Sequence, residues 1–161
     1  MGQTGTASDI LPAWDLSDLY PAPDSPAIAA DLDQAERDAR AFAAAHAGRL
    51  ARTTGRELAA AIAEFERIEE RLGRLASYAQ LLFASDSTDA VIAQFSQTVN
   101  ERVTTISSHL IFFTLELNRL DDAALEAKLG PRAGPGDPGA ARWRPWLRDL
   151  RVFRPHQLSD D

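Results

Sequence analysis

The sequence predicts an all-α fold: an elongated antiparallel hairpin or bundle of three long helices with two short ones. Three observations point there. The 161 residues are 45% hydrophobic and 25% charged but only 7% aromatic, and the composition leans on alanine, leucine, glutamate and arginine, residues that lose little on entering a helix. Apolar residues recur at steps of three and four, the period of one helix face, and no stretch alternates in the manner of a strand. Capping residues stand where those periodic stretches begin.

Residues 1–24 read as an extended arm. The first 13 read as unstructured, and "WDLSDLYPAPDSP" at 14–26 is rich in proline and acids. Trp14, Leu16, Leu19 and Tyr20 are its candidate anchors, docking it on the helical body by burying apolar area. Residues 25–129 form the long-helix bundle. Ser25 followed by Pro26 predicts a helix start, with serine as cap and proline at a position whose missing N–H costs nothing. Ile28, Leu32, Ala35, Ala39, Phe42 and His46 then step by four and three along one face as far as Gly48.

The second helix opens at Thr54 with Glu57 three residues on, the spacing of a capping box in which each side chain satisfies a backbone N–H of the other. Its stripe is Leu58, Ile62, Phe65, Ile68, Leu72, Leu75, Ala79 and Leu82. Glu64, Arg67, Glu70, Arg71 and Arg74 occupy the other face, where opposite charges meet at helical spacing. Gly73 interrupts the pattern, either weakening it or marking a close neighbour. A third helix is expected from Ser87 or Thr88 to about Asn118, with Ile92, Phe95, Val99, Val103, Ile106, Leu110, Phe113 and Leu117 as its stripe. A short helix from Asp122 to Leu129 follows. Residues 130–141, "GPRAGPGDPGAA", read as a Gly/Pro-rich loop. Residues 142–161 resume a short helix, with Trp146, Leu147, Leu150 and Phe153 inward. Ser159, Asp160 and Asp161 then read as the entrance to a further helix.

The formal net charge of −7 argues against nucleic acid as a partner, since phosphate binding draws on clustered cations. The absence of cysteine excludes disulfides and thiolate ligands and suits a reducing cytoplasm. No apolar run approaches the roughly 20 residues of a membrane span, so no membrane partner is expected.

Chemistry-bearing groupings are sparse. His46, His109 and His156 are too scattered for a local zinc motif, which needs two histidines one helical turn apart. His46 is expected exposed at a helix end, and His109 packed beside the apolar stripe. Glu69 with Glu70 and Asp121 with Asp122 read as solvated surface. Glu116 lies close to the apolar seam, where a carboxylate needs a partner: a structural hydrogen bond, or a contact to another domain. Arg142, Arg144, Arg148, Arg151 and Arg154 form a basic patch, either ion-paired surface or a docking face. No catalytic, cofactor-binding or metal-binding residue is assigned.

Four segments in order, "WDLSDLYPAPDSP" (14–26), "RLGRLASYAQLLFASD" (71–86), "FFTLELNRLDDAAL" (112–125) and "WLRDLRVFRPHQLSDD" (146–161), resemble the N-terminal region of the oligoendopeptidase F group of M3-type zinc metallopeptidases. The likeness spans about residues 14–129 and 142–161. It implies a cytoplasmic enzyme that cuts short peptides in a deep channel, using zinc held by an HExxH helix and a downstream glutamate. In that chemistry zinc polarises the scissile carbonyl while the HExxH glutamate activates water. None of these residues occurs here, so the resemblance implies a helical lobe that is inactive by itself, with zinc and the peptide belonging to a C-terminal catalytic domain outside these 161 residues. The loop at 130–141 departs from the family pattern, as an insertion or a frame error. The competing expectation is a stand-alone helical interaction module that binds a protein partner or its own copy as a homo-oligomer.

Overall fold

In the computed structural model, residues 14–130 and 139–157 are described. They fold into helices alone, with no strand among them: α1 (Pro26–His46), α2 (Gly55–Ser85), α3 (Ala90–Ser108), α4 (Ile111–Arg119), α5 (Asp122–Leu129) and α6 (Arg144–Arg151), with 3-10 turns at Leu50–Arg52, Ala140–Trp143 and Arg154–His156. None of the helices is long and apolar enough to cross a membrane. The unstructured reading of residues 1–13, most of the 130–141 loop and the helix entrance at Ser159 lie outside the described residues.

The local signals act as their chemistry requires. Ser25 Oγ accepts from Ala27 N ahead of Pro26. Thr54 and Glu57 form the reciprocal capping box: Thr54 Oγ1 accepts from Glu57 N, and the Glu57 carboxylate accepts from Thr54 N at 2.7 Å. That bond holds the Glu57 carboxyl below its usual range. α1 ends at His46 with Ala47 as its C-cap, and the chain reverses at Gly48, whose φ of 74° suits a residue without Cβ.

Ile28, Leu32, Ala35, Ala39 and Phe42 of α1 are buried against Leu58, Ile62, Ile68, Leu72, Leu75 and Ala79 of α2. The two helices run in opposite directions, because Arg71 meets Asp38 at 2.8 Å while His46 meets Glu64 at 3.5 Å. α3 packs back on α2 after a turn at 86–89. Arg102 on α3 reaches Asp33 and Glu36 of α1, both at 3.1 Å, closing a three-helix unit. At its lower end, Phe42, Phe65 and Phe113 stack with ring centroids 5.0 to 6.1 Å apart, which fixes α4 beneath α1 and α2.

Several expectations need correction. The third helix does not run to Asn118. Ser107 to Leu110 tighten into i to i−3 hydrogen bonds, with His109 N to Ile106 O and Leu110 N to Ser107 O, while Ser108 Oγ bonds Thr105 O. α4 is therefore a separate helix, and the described residues hold three short helices rather than two. Trp14 is not an anchor: it is 65% exposed, whereas Tyr20 is 1% exposed. Gly73 has open space where a Cβ would stand, and the close approach falls instead at Gly55, where a Cβ would collide with the backbone carbonyl of Lys128. Phe153 is 67% exposed, because α6 ends at Arg151 before the periodic pattern reaches it.

Candidate functional site

The basic segment 142–154 is built onto α4 and α5 rather than held free. Arg151 reaches under α6 to donate to Leu117 O and Leu120 O, each at 2.6 Å, and to Asp122 at 2.7 Å. Its guanidinium thereby caps the carbonyl end of α4, where the helix dipole favours a cation. Arg154 joins the same Asp122 carboxylate at 3.1 Å, and with Arg151 holds that carboxyl below the usual range. Arg144 pairs with Glu126 and donates to Gly130 O. Arg142 places its guanidinium carbon over the Trp143 ring, 3.7 Å from its centroid. Arg148, paired only with the adjacent Asp149 among the described residues, is the most exposed of the five.

Between α5 and α6 runs an open groove of about 480 Å3, floored by Leu125, Leu129 and Leu147 and edged by Arg144, Arg148 and Arg151. An apolar floor with fixed guanidinium edges can hold an acidic or amphipathic segment. Asp122 and Glu126 also line the groove, and each carboxylate is paired with an arginine, Asp122 with Arg151 and Glu126 with Arg144.

Trp143, which sequence periodicity did not single out, anchors the segment. It is 7% exposed and its Nε1 donates to Glu66 Oε1 at 2.6 Å. Its position directly after a glycine- and proline-rich stretch hides it from any helical pattern. A tryptophan among arginines at a helix start is the only sequence clue.

The three histidines are not brought together. His46 is packed rather than exposed, a correction to the sequence expectation: only a fifth of its side chain is accessible, and its ring lies 4.7 Å from that of Phe42. The 4-residue step from Phe42 places the two rings on one face. His109 caps the end of α3 and is half-buried, and His156 is exposed in the last turn. Among the described residues no three His, Asp or Glu side chains converge as a metal site, so the zinc implied by the resemblance finds no donor set in them. Glu116 takes the structural role: its carboxylate accepts from Gly48 N at 2.6 Å and Leu50 N at 3.3 Å, tying the α1–α2 turn to α4. Asp121 caps α5 through Ala124 N, so it and Asp122 each serve a helix end rather than forming an acid/base pair.

The extended arm docks on α2. Arg74 donates to Leu19 O through both Nε and Nη2 and lies over the Tyr20 ring at 4.4 Å. Tyr20 packs edge-on against Tyr78 and donates its hydroxyl to Asp31 at 2.7 Å. Leu16 and Leu19 are partly buried alongside.

No protein-family model, curated protein or solved structure matches this chain.

Proposed function

We propose that this chain is the N-terminal helical lobe of a zinc oligoendopeptidase of the M3 type, a cytoplasmic hydrolase of short peptides, and that the lobe is inactive without an HExxH-bearing catalytic domain. One observation carries the proposal. The four segments on which the resemblance rests touch one another in pairs: Leu19 and Tyr20 of the first meet Arg74 and Tyr78 of the second, and Arg151 of the fourth caps Leu117 and Leu120 of the third. Residues that fit together physically are the ones a family would retain together. The helices would form an elongated antiparallel wall beside a peptide channel, admitting flexible peptides and excluding folded proteins. The groove between α5 and α6 would face the catalytic domain.

The test is to read the DNA beyond codon 161 in all three frames and assay the chain with quenched fluorogenic oligopeptides. An HExxH helix with a downstream glutamate is expected in one frame, together with zinc-dependent cleavage by the longer product and none by the 161-residue chain. A downstream sequence without that motif would sink the proposal. A second reading, a stand-alone helical interaction module, is favoured by an apolar surface at the far end of α2 and α3.

A further inference from the structure

The hairpin of α2 and α3 outruns its cover. α2 has 31 residues and α1 has 21, so at about 1.5 Å per residue α2 is longer by about 15 Å. The pairs Asp38–Arg71 and His46–Glu64 place most of that surplus at the start of α2, and at the other end about the last turn of α2, with the turn into α3, extends past the start of α1. From residue 80 to residue 95 no residue is fully buried: Leu81, Leu82, Phe83, Ile92 and Phe95 are half-buried, with Leu82 and Phe95 packing on the core. Val91 is 77% exposed. Beside it an open cleft of about 490 Å3 is lined by Ala90, Val91, Gln94, Phe95 and Thr98.

The charge around this cleft has one sign. No lysine or arginine occurs between Arg74 and Arg102, and Arg102 is turned toward Asp33 and Glu36 on α1. The acids in the interval are Asp86, Asp89 and Glu101. Asp86 and Asp89 hold the turn, accepting from Thr88 N and from Val91 N and Ile92 N. Glu101 accepts from Gln97 and follows Gln94 and Thr98 at helical spacing, about one turn beyond the last residue that lines the cleft. Among the described residues no cation pairs with any of the three. Asp89 and Glu101 are 12 residues apart in sequence, about 18 Å along a helix, which is the length of three turns of a docked helix.

We propose that the tip of the α2–α3 hairpin is a docking site for an amphipathic helix of another polypeptide that carries basic residues at both ends of an apolar stripe of about three turns. The stripe would cover Val91 and Phe95, in the manner of helix-in-groove recognition. Its cations would meet Glu101 at one end and the Asp86–Asp89 turn at the other. An anionic membrane surface is disfavoured by the same charges, since interfacial helices bring cations to lipid. A second copy placed tip to tip would set like charges against each other.

The test uses the full 161-residue chain and a fluorescein-labelled, helix-forming leucine/lysine peptide of about 18 residues, with a leucine/glutamate peptide as control. Fluorescence anisotropy is expected to show binding of the lysine peptide at least about tenfold tighter than the glutamate one, weakening when salt shortens the screening length below about 5 Å. Val91→Asp is the decisive variant. It makes the tip more acidic while removing the apolar contact, and aspartate in a first helical turn is tolerated. Docking on the cleft predicts at least about tenfold weaker binding, whereas bare charge attraction predicts tighter binding. Glu101→Gln, with circular dichroism unchanged, is expected to weaken the lysine peptide several-fold and to leave the control unaffected. The proposal is overturned by equal binding of both peptides, by binding of neither, by unchanged or tighter binding to Val91→Asp, or by a dimer in light scattering that Val91→Asp disperses.

Discussion

Replacing Arg151 by methionine should loosen the last helix from the body before the body itself unfolds. The Arg151 side chain is only 11% accessible, and methionine keeps most of its apolar stem. What is lost are the two bonds to Leu117 O and Leu120 O and the pair with Asp122. Hydrogen bonds from a charged donor contribute about 1.5–3 kcal/mol each, but the Asp122 partner is 83% exposed and water replaces that contact cheaply. The two carbonyls therefore dominate, and the expected loss is about 3 kcal/mol. At about 2–4 °C per kcal/mol for a chain of this size, this corresponds to a fall in Tm of about 6–12 °C. Urea titration followed at once by circular dichroism and by tryptophan fluorescence separates the parts, because Trp143 and Trp146 sit at α6 while the helical signal comes mostly from α1 to α3. In the variant the fluorescence transition should precede the dichroism transition. Sodium chloride at 1 M should change the difference little, since carbonyl caps are not ion pairs. A loss below about 0.5 kcal/mol, the scale of an ordinary surface substitution, would refute the cap as the element that holds α6.

Two further tests address the body. Gly55→Ala should cost about 1–3 kcal/mol, because its Cβ must displace the Lys128 backbone and with it α5. Gly73→Ala, in open space within α2, should instead stabilise by about 0.5–1 kcal/mol, and chemical denaturation that ranks the two the other way would contradict the packing described. Burial and the hydrogen bond to Asp31 raise the Tyr20 hydroxyl above its ordinary value. A raised folded pKa means that the stabilisation is full below about pH 10, the unfolded value, and is lost as pH rises beyond it. Tyr20→Phe should therefore be less stable than the wild type at neutral pH by about 1 kcal/mol, with the gap closing above pH 10. A gap that persists in alkali would mean that the hydroxyl is not what fastens the arm.

How far the sequence foretold these features depends on how local each one is. The caps at Ser25 and Thr54 involve residues within three positions of each other, and they stand where the sequence placed them. The break between α3 and α4 was not legible, because Ser107, Ser108 and His109 include neither glycine nor proline. It accompanies contacts distant in sequence: Phe113 entering the stack with Phe42 and Phe65, and Glu116 reaching Gly48. Burial of Trp143 likewise depends on Glu66, 77 positions away. Conversely, helical period alone misplaced Phe153, since period says which side a residue is on but not whether anything lies against that side, and apolar character alone misplaced Trp14 in the arm. The arginine patch was legible as a patch. Its use as a set of carbonyl caps was not.

That use bears on the whole surface. The chain has 17 lysines and arginines against 24 acids, and many of its cations are committed to backbone oxygens: Arg74 to Leu19 O, Lys128 to Ala51 O and Thr53 O, Arg144 to Gly130 O, and Arg151 to Leu117 O and Leu120 O. Cations placed this way satisfy carbonyls that a helix end or turn leaves without partners. Lys128, Arg144 and Arg151 also draw positive charge toward the end of the molecule where α4, α5 and α6 meet. The α2–α3 tip is the counterpart, with capping done by aspartates that pair with no cation among the described residues. One end of the molecule is thus fastened by guanidinium groups that hold the chain to itself. The other carries the exposed Val91 and the half-buried Phe95 beside Asp86, Asp89 and Glu101, carboxylates that pair with no cation among the described residues.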